Sequence, residues 1–272
     1  MRKNSISKLG FIFIITILSL AGISVSYSGF TDTIQIHGTV AIHDDFHYLD
    51  LVGYWKLDDS EYAASDFSSY GNDGTIYGTA DWTTGEINGA LSFDGVENYV
   101  DCGNDDILDF SSENFSISVW IYIRNQWTGG AGSNENVSVI LDKGTGFRVD
   151  GYGLHFSGNL MKIRFSTDGD DSGEGDTARK DLWNDNPLNY NQWYHVVAVR
   201  ESGVKYLYID GVQQSATQID ARELSDTSRH LLFGKHDRDS GGWFDGIIDE
   251  VKIYKCALTL DDILYEYQKG LL

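Results

Sequence analysis

Asp249 occupies the position in this sequence that most strongly suggests chemistry. Its neighbours at a spacing of two or four residues, Ile247, Val251 and Ile253, are aliphatic, and alternate residues of a β-strand lie on the same face. This pattern predicts a carboxylate among side chains that face a hydrophobic core. Because burying an unpaired carboxylate is unfavourable, we expect Asp249 to meet several hydrogen-bond donors, a basic residue or a metal ion.

Four aromatic residues lie in segments of loop-like composition, and they are candidates for ligand binding. They are Trp127, Trp183, Tyr190 and Trp243. Aromatic rings suit sugar ligands because a ring face offers a large apolar surface that stacks on the C–H-rich face of a sugar. The alternative interpretation is that these rings only cover an edge of a sheet.

Cys102 and Cys256 are the two cysteines of the chain, and each follows a predicted strand. An exported protein meets an oxidising environment, so a disulfide between them is one interpretation. Two buried thiols are the other. Asn114 and Asn136 begin Asn-x-Ser sequons and are glycosylation candidates in a host that has the machinery.

The amino terminus predicts export. Three basic residues, at positions 2, 3 and 8, precede an apolar run over residues 9–20 that continues into small residues, which is typical of a secretory signal. The run is shorter than the roughly 20 residues that comfortably span a bilayer, so cleavage is favoured over retention as a membrane anchor. We assign residues 1–28 to this hydrophobic leader helix, cleaved or anchored, and the polar residues 29–50 to a tether.

The charge of the chain excludes one class of partner. It has 41 acidic and 20 basic residues, for a formal charge of −21. Such a surface repels phosphate backbones and anionic lipids, so nucleic-acid binding is disfavoured. Membrane contact is expected only through an uncleaved leader. A solvated acidic exterior is the simpler interpretation, and capture of divalent cations is the alternative.

The sequence predicts that β-strands position the candidate site residues. Residues 115–123 alternate between apolar and other side chains, and residues 194–200 and 206–210 repeat the alternation. Asp-Gly pairs, which favour tight hairpin turns, separate such runs. Near the end, Thr259 is expected to cap a short helix that Gly270 ends. Many short strands with turn signals predict an all-β, antiparallel two-sheet sandwich with one C-terminal helix.

Four ordered stretches resemble the laminin-G-like, concanavalin A-like lectin/glucanase jelly-roll family. They are 53–59 (GYWKLDD) with 66–75 (DFSSYGNDGT), 89–95 (GALSFDG) with Tyr99 and Val100, 115–123 (FSISVWIYI) with 193–200 (WYHVVAVR) and 207–211 (LYIDG), and 244–254 (FDGIIDEVKIY) with Ala257 and Leu258. The resemblance implies a single jelly-roll domain over residues 51–272. Residues 26–33 (SYSGFTDT) are similar to leaders processed by SipW-type signal peptidases of archaea and Gram-positive bacteria, which implies a prokaryotic cell surface.

The resemblance also implies a structural Ca²⁺ ion. Members of the family often hold Ca²⁺ between early loops and this late strand, and the matching positions here are Asp66, Asn72 and Asp249. Backbone carbonyls would complete the oxygen ligands that Ca²⁺ requires. A hydrogen bond from a loop backbone to Asp249 is the alternative.

Catalysis is not expected. The glucanases of the family share a Glu-x-Asp-x-Glu pattern that places alternate carboxylates on one strand face, and this sequence lacks that pattern. The nearest pair is Asp249 and Glu250, which are adjacent and are therefore expected to point to opposite faces. His155 and His195 lie in strand-like segments, and we interpret His195 as a packed strand residue.

Together these features favour a non-catalytic module, displayed outside the cell, that binds or adheres to a glycan or a surface glycoprotein. A structural component of an envelope or surface layer is one alternative. A polysaccharide-active enzyme of the glycoside hydrolase type is the other.

Overall fold

The computed structural model describes residues 50–58, 63–79, 81–126, 136–144, 151–168, 180–224, 228–236 and 242–271. The predicted leader, nearly all of the predicted tether, and Trp127 lie outside these residues. Within them, no helix is long and apolar enough to cross a membrane.

Two antiparallel sheets, here called sheet A and sheet B, form the domain, with nine strands in sheet A and eight in sheet B among the described residues. Across sheet A the order is β14 (Val212–Gln213), β13 (Val204–Ile209), β12 (Trp193–Glu201), β7 (Phe115–Asn125), β17 (Asp245–Tyr254), β5 (Gly89–Asp94) and β4 (Asp81–Thr84). In addition, β1 (Leu51–Trp55) pairs with β17, and β15 (Gln218–Ile219) pairs with β13.

Across sheet B the order is β11 (Lys180–Trp183), β10 (Lys162–Asp168), β9 (Gly151–Ser157), β8 (Val137–Gly144), β16 (Leu232–Phe233), β6 (Tyr99–Asp101), β3 (Gly74–Tyr77) and β2 (Ala63–Ala64). A short 3₁₀ helix (Asp106–Leu108) and a C-terminal helix α1 (Leu260–Lys269) complete the described elements.

The hydrophobic core lies between the two sheets, as the strand alternation predicts. Phe115, Ile117 and Val119 of β7 are fully buried. The Phe115 ring of sheet A meets the rings of Tyr152 and Phe165 of sheet B at centroid distances of 5.2 and 6.0 Å. The predicted all-β, antiparallel two-sheet sandwich is confirmed.

The prediction for strand β17 is partly wrong. Ile247 and Asp249 were expected on the core face with Val251, but Ile248 and Val251 are the core residues here. The pairing of β17 with β7 is interrupted between Asp249 and Lys252. Such a bulge adds one residue and reverses the alternation that follows it. Asp249 therefore lies on the outer face of sheet A.

Helix α1 covers the outer face of sheet A. Thr259 accepts a hydrogen bond from the Asp262 backbone N–H, and the Asp262 carboxylate accepts one from the Thr259 backbone N–H. This reciprocal capping box stabilises the first turn of the helix. Tyr267 of the helix stacks on Trp120 of β7, with ring centroids 5.7 Å apart. The predicted helix and its cap at Thr259 are confirmed, and Gly270 stands at its carboxyl end.

A buried charge network fastens α1 to sheet A. Lys252 Nζ lies 2.8 Å from Glu250 Oε2 and 2.6 Å from Glu266 Oε2. The Tyr54 hydroxyl donates to Glu250, and Lys269 Nζ lies 3.0 Å from Glu266 Oε1. Burial alone would raise the pKa of Glu266, but Lys252 and Lys269 outweigh it and lower that pKa. Each of these carboxylates therefore has a cationic partner within the protein.

Candidate functional site

The candidate site lies on the outer face of sheet B, the face turned away from the core. Leu154 and Phe156 of β9 and Phe165 of β10 belong to the core. Because alternate residues of a strand point to opposite faces, His155 and Arg164 lie on the outer face. The two are direct partners in the pairing of β9 and β10.

Three aromatic rings and one lysine form a continuous surface on this face, here called the aromatic strip: Tyr77, Tyr99, Lys235 and Trp243. Tyr77 of β3 and Tyr99 of β6 are direct partners in the sheet. Their rings are stacked, with centroids 4.6 Å apart and an angle of 5° between the ring planes. Trp243 meets Tyr99 edge-on at 6.1 Å. Lys235 Nζ lies 4.3 Å from the Tyr99 ring centre and 5.3 Å from that of Trp243. Tyr77 is 44% exposed, and the other three are half-buried.

A buried group of two imidazoles and a carboxylate, here called the His–Asp cluster, adjoins the strip. It consists of Asp142 of β8, His155 of β9 and His236, which directly follows Lys235. His155 Nε2 lies 3.4 Å from Asp142 Oδ1, and His236 Nδ1 lies 3.4 Å from Asp142 Oδ2. Burial, and then the neighbouring Arg164 cation, lower the pKa of His155 to about 4. The imidazole of His155 is therefore neutral near pH 7.

Trp183 stands on the other side of this face. Its partner across the β10–β11 pairing is Arg164, whose guanidinium carbon lies 5.7 Å from the Trp183 ring centre. Arg164 Nη1 is also 3.9 Å from Asp181 Oδ2. Two of the predicted ligand-binding residues, Trp183 and Trp243, are thus associated with one face, near opposite sides of sheet B.

The other predicted ligand-binding residues do not join them. Tyr190 packs against the core, with its ring centre 6.0 Å from that of Phe156, and Trp127 lies outside the described residues.

The two sequon residues, Asn114 and Asn136, are half-buried. Asn114 Oδ1 accepts a hydrogen bond from the Ser202 N–H, and Asn136 Nδ2 donates one to Asn159. Their glycosylation stays a prediction.

The residues expected to bind Ca²⁺ fall into two separate groups of contacts. The Asp66 carboxylate accepts four hydrogen bonds, two at each oxygen, from Tyr54 N, Ser68 N, Ser68 Oγ and Asn72 N. The Asn72 side chain donates to the Val52 carbonyl. These bonds occupy the Asp66 oxygens with protein donors. The calcium site therefore stays a prediction that the Asp66 contacts do not support.

Asp249 reaches a different segment, the turn between β4 and β5. Its Oδ2 accepts a hydrogen bond of 2.9 Å from the Ile87 N–H, which matches the alternative expected for this residue. Its Oδ1 is buried without a hydrogen-bond partner within the described residues. Burial raises the pKa of Asp249 to about 8, so the carboxyl is mainly protonated at pH 7.

Asp249 and Glu250 do not point to opposite faces, and that prediction is wrong. Asp249 pairs with Trp120, and Glu250 contacts Lys252 and the Tyr54 hydroxyl, all on the outer side of sheet A. The bulge brings both carboxylates to the same side. Glu250 has a positive φ of 52°, the local distortion that accompanies this reversal.

The predicted Cys102–Cys256 disulfide is absent, because both thiols are free. Cys102 directly follows β6 of sheet B and lies in the core. Cys256 follows β17 of sheet A and is half-buried. The two cysteines are attached to different sheets, which the spacing in the sequence does not reveal.

The family model of the concanavalin A-like lectin/glucanases superfamily matches residues 94–264, more than half of the chain. The chain belongs to this superfamily. The jelly-roll resemblance of the sequence is thereby confirmed for the superfamily, and the secretion leader stays a prediction. No curated protein sequence matches the chain.

Several solved members of this fold are similar to the chain. Domain 4 of AbnA, an extracellular GH43 arabinanase from Geobacillus stearothermophilus solved with arabinotriose, is 18% identical over 79% of this chain and 97% of that one, with a TM-score of 0.58. The binding domain of Paraclostridial Mosquitocidal Protein 1 is 15% identical over 82% of this chain and 52% of that one, with a TM-score of 0.63. The binding domain of botulinum neurotoxin DC, in complex with rat synaptotagmin II, is 18% identical over 83% and 52%, with a TM-score of 0.62.

At these identities the likeness shows the fold. The chain spans about half the length of the toxin binding domains that it matches, and nearly the whole length of the arabinanase domain.

Sequence reasoning missed most of the aromatic strip and all of the His–Asp cluster. The predicted ligand-binding rings come from segments of loop-like composition, whereas Tyr77 and Tyr99 belong to strands. A usable signal was present: Ile76 and Val100 are apolar, and the tyrosines beside them occupy the alternate positions that face away from a core. No comparable signal connects Asp142, His155 and His236, because they are far apart in the chain.

Proposed function

We propose that this chain is an exported, non-catalytic module that binds a glycan, free or on a surface glycoprotein, through the aromatic strip. The observation that carries the proposal is the stacked pair Tyr77 and Tyr99 with Trp243 beside it, on the face of sheet B opposite the core. A large exposed ring such as Tyr77 lacks the burial that would explain it as a packing residue.

The strip has the chemistry that sugar binding requires. Stacked and edge-on rings provide an apolar platform for the C–H face of a sugar, and each tyrosine also carries a hydroxyl that can donate or accept a hydrogen bond. Lys235 adds an ammonium group with three donors beside the rings. His230 Nδ1 lies 2.8 Å from Asp101 Oδ1, two residues along β6 from Tyr99, and this pair extends the polar surface.

The comparisons support a saccharide as the ligand class. The arabinanase domain, which this chain covers almost end to end, was solved with arabinotriose. The toxin binding domains share the fold, but the chain covers about half of each, so their partners carry less weight here.

The carboxylates favour binding over hydrolysis. A glycosidase needs two carboxyl groups on either side of the scissile bond, with access for the substrate. Asp249 and Glu250 are buried beneath the turn and helix that cover sheet A, and Glu250 is engaged by Lys252 and Tyr54. Asp142 on sheet B is also buried and lies between two imidazoles. None of these three is placed to meet a polysaccharide.

A glycan array with the purified domain tests the proposal, followed by titration of the best ligand against variants. Tyr77→Ala is expected to weaken binding by up to about tenfold, because one stacking contact contributes about 0.5–1.5 kcal/mol. Tyr70→Ala is the matched control, because Tyr70 is 46% exposed but lies in the loop after β2, outside the strip. It is expected to bind normally.

Absence of binding to every glycan on the array would favour the structural role in a cell envelope instead. Equal losses in the Tyr77 and Tyr70 variants would contradict the strip as the site. Release of reducing sugar from a β-glucan panel, abolished by Glu250→Gln, would restore the enzymatic alternative.

A further inference from the structure

We propose that Asp142, His155 and His236 form a binding site for a divalent transition-metal ion of the Zn²⁺ class. This site is independent of the proposed glycan site, because it is formed by these three side chains, which lie outside the aromatic strip.

The three side chains of the cluster lie close together. One ligand atom from each of the three residues lies within 4.8 Å of the other two, and both imidazole-to-carboxylate distances are 3.4 Å. Bonds of about 2.0–2.2 Å at tetrahedral angles place the ligand atoms of Zn²⁺ about 3.3–3.6 Å apart. The two 3.4 Å distances involve different oxygens of Asp142, and one ligand atom from each residue lies within 4.8 Å of the others. Side-chain rotations would therefore bring the three ligand atoms around one ion.

The buried environment of His155 favours a bound ion. This side chain is 1% exposed, and neither of its ring nitrogens makes a hydrogen bond of acceptable geometry within the described residues. A buried polar atom that makes no hydrogen bond is unfavourable. A metal ion bound to Nε2, the nitrogen that faces Asp142, would give a partner to one of these two nitrogens.

The types of the three side chains favour a first-row transition metal. Two imidazoles with one carboxylate suit Zn²⁺ and neighbouring first-row ions, whereas Ca²⁺ and Mg²⁺ prefer oxygen ligands. Asp142 supplies the negative charge that the ion needs. The Arg164 cation beside His155 opposes binding, and Asp181, 3.9 Å from its guanidinium, partly balances that charge.

The site would join three separate segments of the chain. Asp142 and His155 lie on neighbouring strands, and His236 belongs to the connection between β16 and β17 that also carries Lys235. Gly234 N–H donates to the Ile140 carbonyl, and Val139 N–H donates to the Gly242 carbonyl. Metal binding at His236 would fix this connection against β8.

The test uses the full chain without an added histidine tag. His37, His43 and His47 are replaced by Gln throughout, so that the predicted tether does not bind metal. Metal-free protein is titrated with Co²⁺ and, separately, with Zn²⁺. One equivalent of Co²⁺ is expected to give a visible d–d absorption band that one equivalent of Zn²⁺ abolishes.

Variants locate the ion. His155→Gln and Asp142→Asn are expected to lose the band, while His230→Gln keeps it, because His230 is half-exposed and pairs with Asp101 outside the cluster. His236→Cys is expected to bind Co²⁺ with an added thiolate-to-cobalt charge-transfer band, which identifies residue 236 as a ligand even where another variant fails to fold.

Three results would overturn the site. They are no stoichiometric Co²⁺ or Zn²⁺ binding by the folded parent chain, an equal loss in His230→Gln, and a folded His236→Cys protein without the charge-transfer band. Glycan binding that persists in metal-free protein while Co²⁺ fails to bind would reject this inference and leave the proposed function intact.

Discussion

The outer faces of the two sheets start from the same strand alternation and end in different chemistry. On sheet A, helix α1 covers the polar side chains of β7 and β17, and the buried ions Lys252, Glu250 and Glu266 are paired with one another. On sheet B, the rings of Tyr77 and its neighbours remain partly open, and the ring nitrogens of buried His155 make no hydrogen bonds within the described residues.

The difference separates a face whose polar side chains stabilise the fold from a face whose side chains are proposed to bind ligands. Buried charges are retained cheaply only when partners within the protein satisfy them, as on sheet A. Tyr77 stays 44% exposed although it stacks on Tyr99, and the His155 ring nitrogens make no hydrogen bond although Asp142 lies 3.4 Å away. A ligand would add contacts to both groups, which is why we propose that the glycan and the metal ion bind at sheet B.

The largest effect is expected where a buried charge on sheet A loses its partner. Lys252→Ala leaves Glu250 and Glu266 buried together without their shared cation, so the free energy of unfolding is expected to fall by about 3–5 kcal/mol. Urea denaturation measures this change in the free energy of unfolding. Lys269→Ala removes the more exposed cation of Glu266 and is expected to change stability by less than about 1 kcal/mol. Equal losses in the two variants would contradict the pairing described for this face.

Two tryptophans compare the faces directly. Trp120→Ala creates a cavity beneath α1 and is expected to lower the free energy of unfolding by about 3–5 kcal/mol. Trp243→Ala is expected to change stability much less but to weaken glycan binding by up to about tenfold. Denaturation curves and ligand titrations on both variants test this. A Trp243 variant that is as unstable as the Trp120 variant, with normal ligand affinity, would reverse the roles of the two faces.

Asp249 makes stability on sheet A depend on pH. Its pKa of about 8 in the folded protein exceeds the value of about 4 in an unfolded chain, so the native state binds more protons between these values and stability falls as pH rises through this window. The amide of an Asp249→Asn variant does not titrate. The stability of this variant relative to the parent is therefore expected to rise from pH 4 to pH 8, by at most about 1.4 kcal/mol per pH unit, and then to level off. If the difference in free energy of unfolding between the variant and the parent does not change with pH, Asp249 stays ionised in the folded protein.

The smallest effect is expected from calcium. Because protein donors occupy the Asp66 carboxylate, adding Ca²⁺ to metal-free protein is expected to leave the melting temperature unchanged. A ligand that binds only the native state raises it, so an increase that Asp249→Asn abolishes would restore the predicted calcium site. Zn²⁺ serves as the comparison, since it is expected to raise the melting temperature through the His–Asp cluster.

Local patterns carried the reliable predictions. The alternation of β7 placed Phe115 and Ile117 inside and Trp120 outside, because side-chain direction in a strand follows from the backbone of that strand. Thr259 was enough to locate the start of α1. The same reasoning placed Asp249 on the wrong face, since the bulge depends on how β17 pairs with β7 and leaves no mark in the alternation of residues.

By itself, the sequence determined the two-layered β architecture, the superfamily and the acidic surface, because these depend on periodicity, ordered motifs and composition. Only the tertiary structure decided which polar and aromatic side chains act together. Tyr77, Tyr99 and Trp243 meet, and Asp142, His155 and His236 converge, because strands distant in the chain become neighbours in sheet B. Side-chain chemistry is encoded residue by residue, but a binding site requires distances of a few ångströms, and those arise only when the sheets assemble.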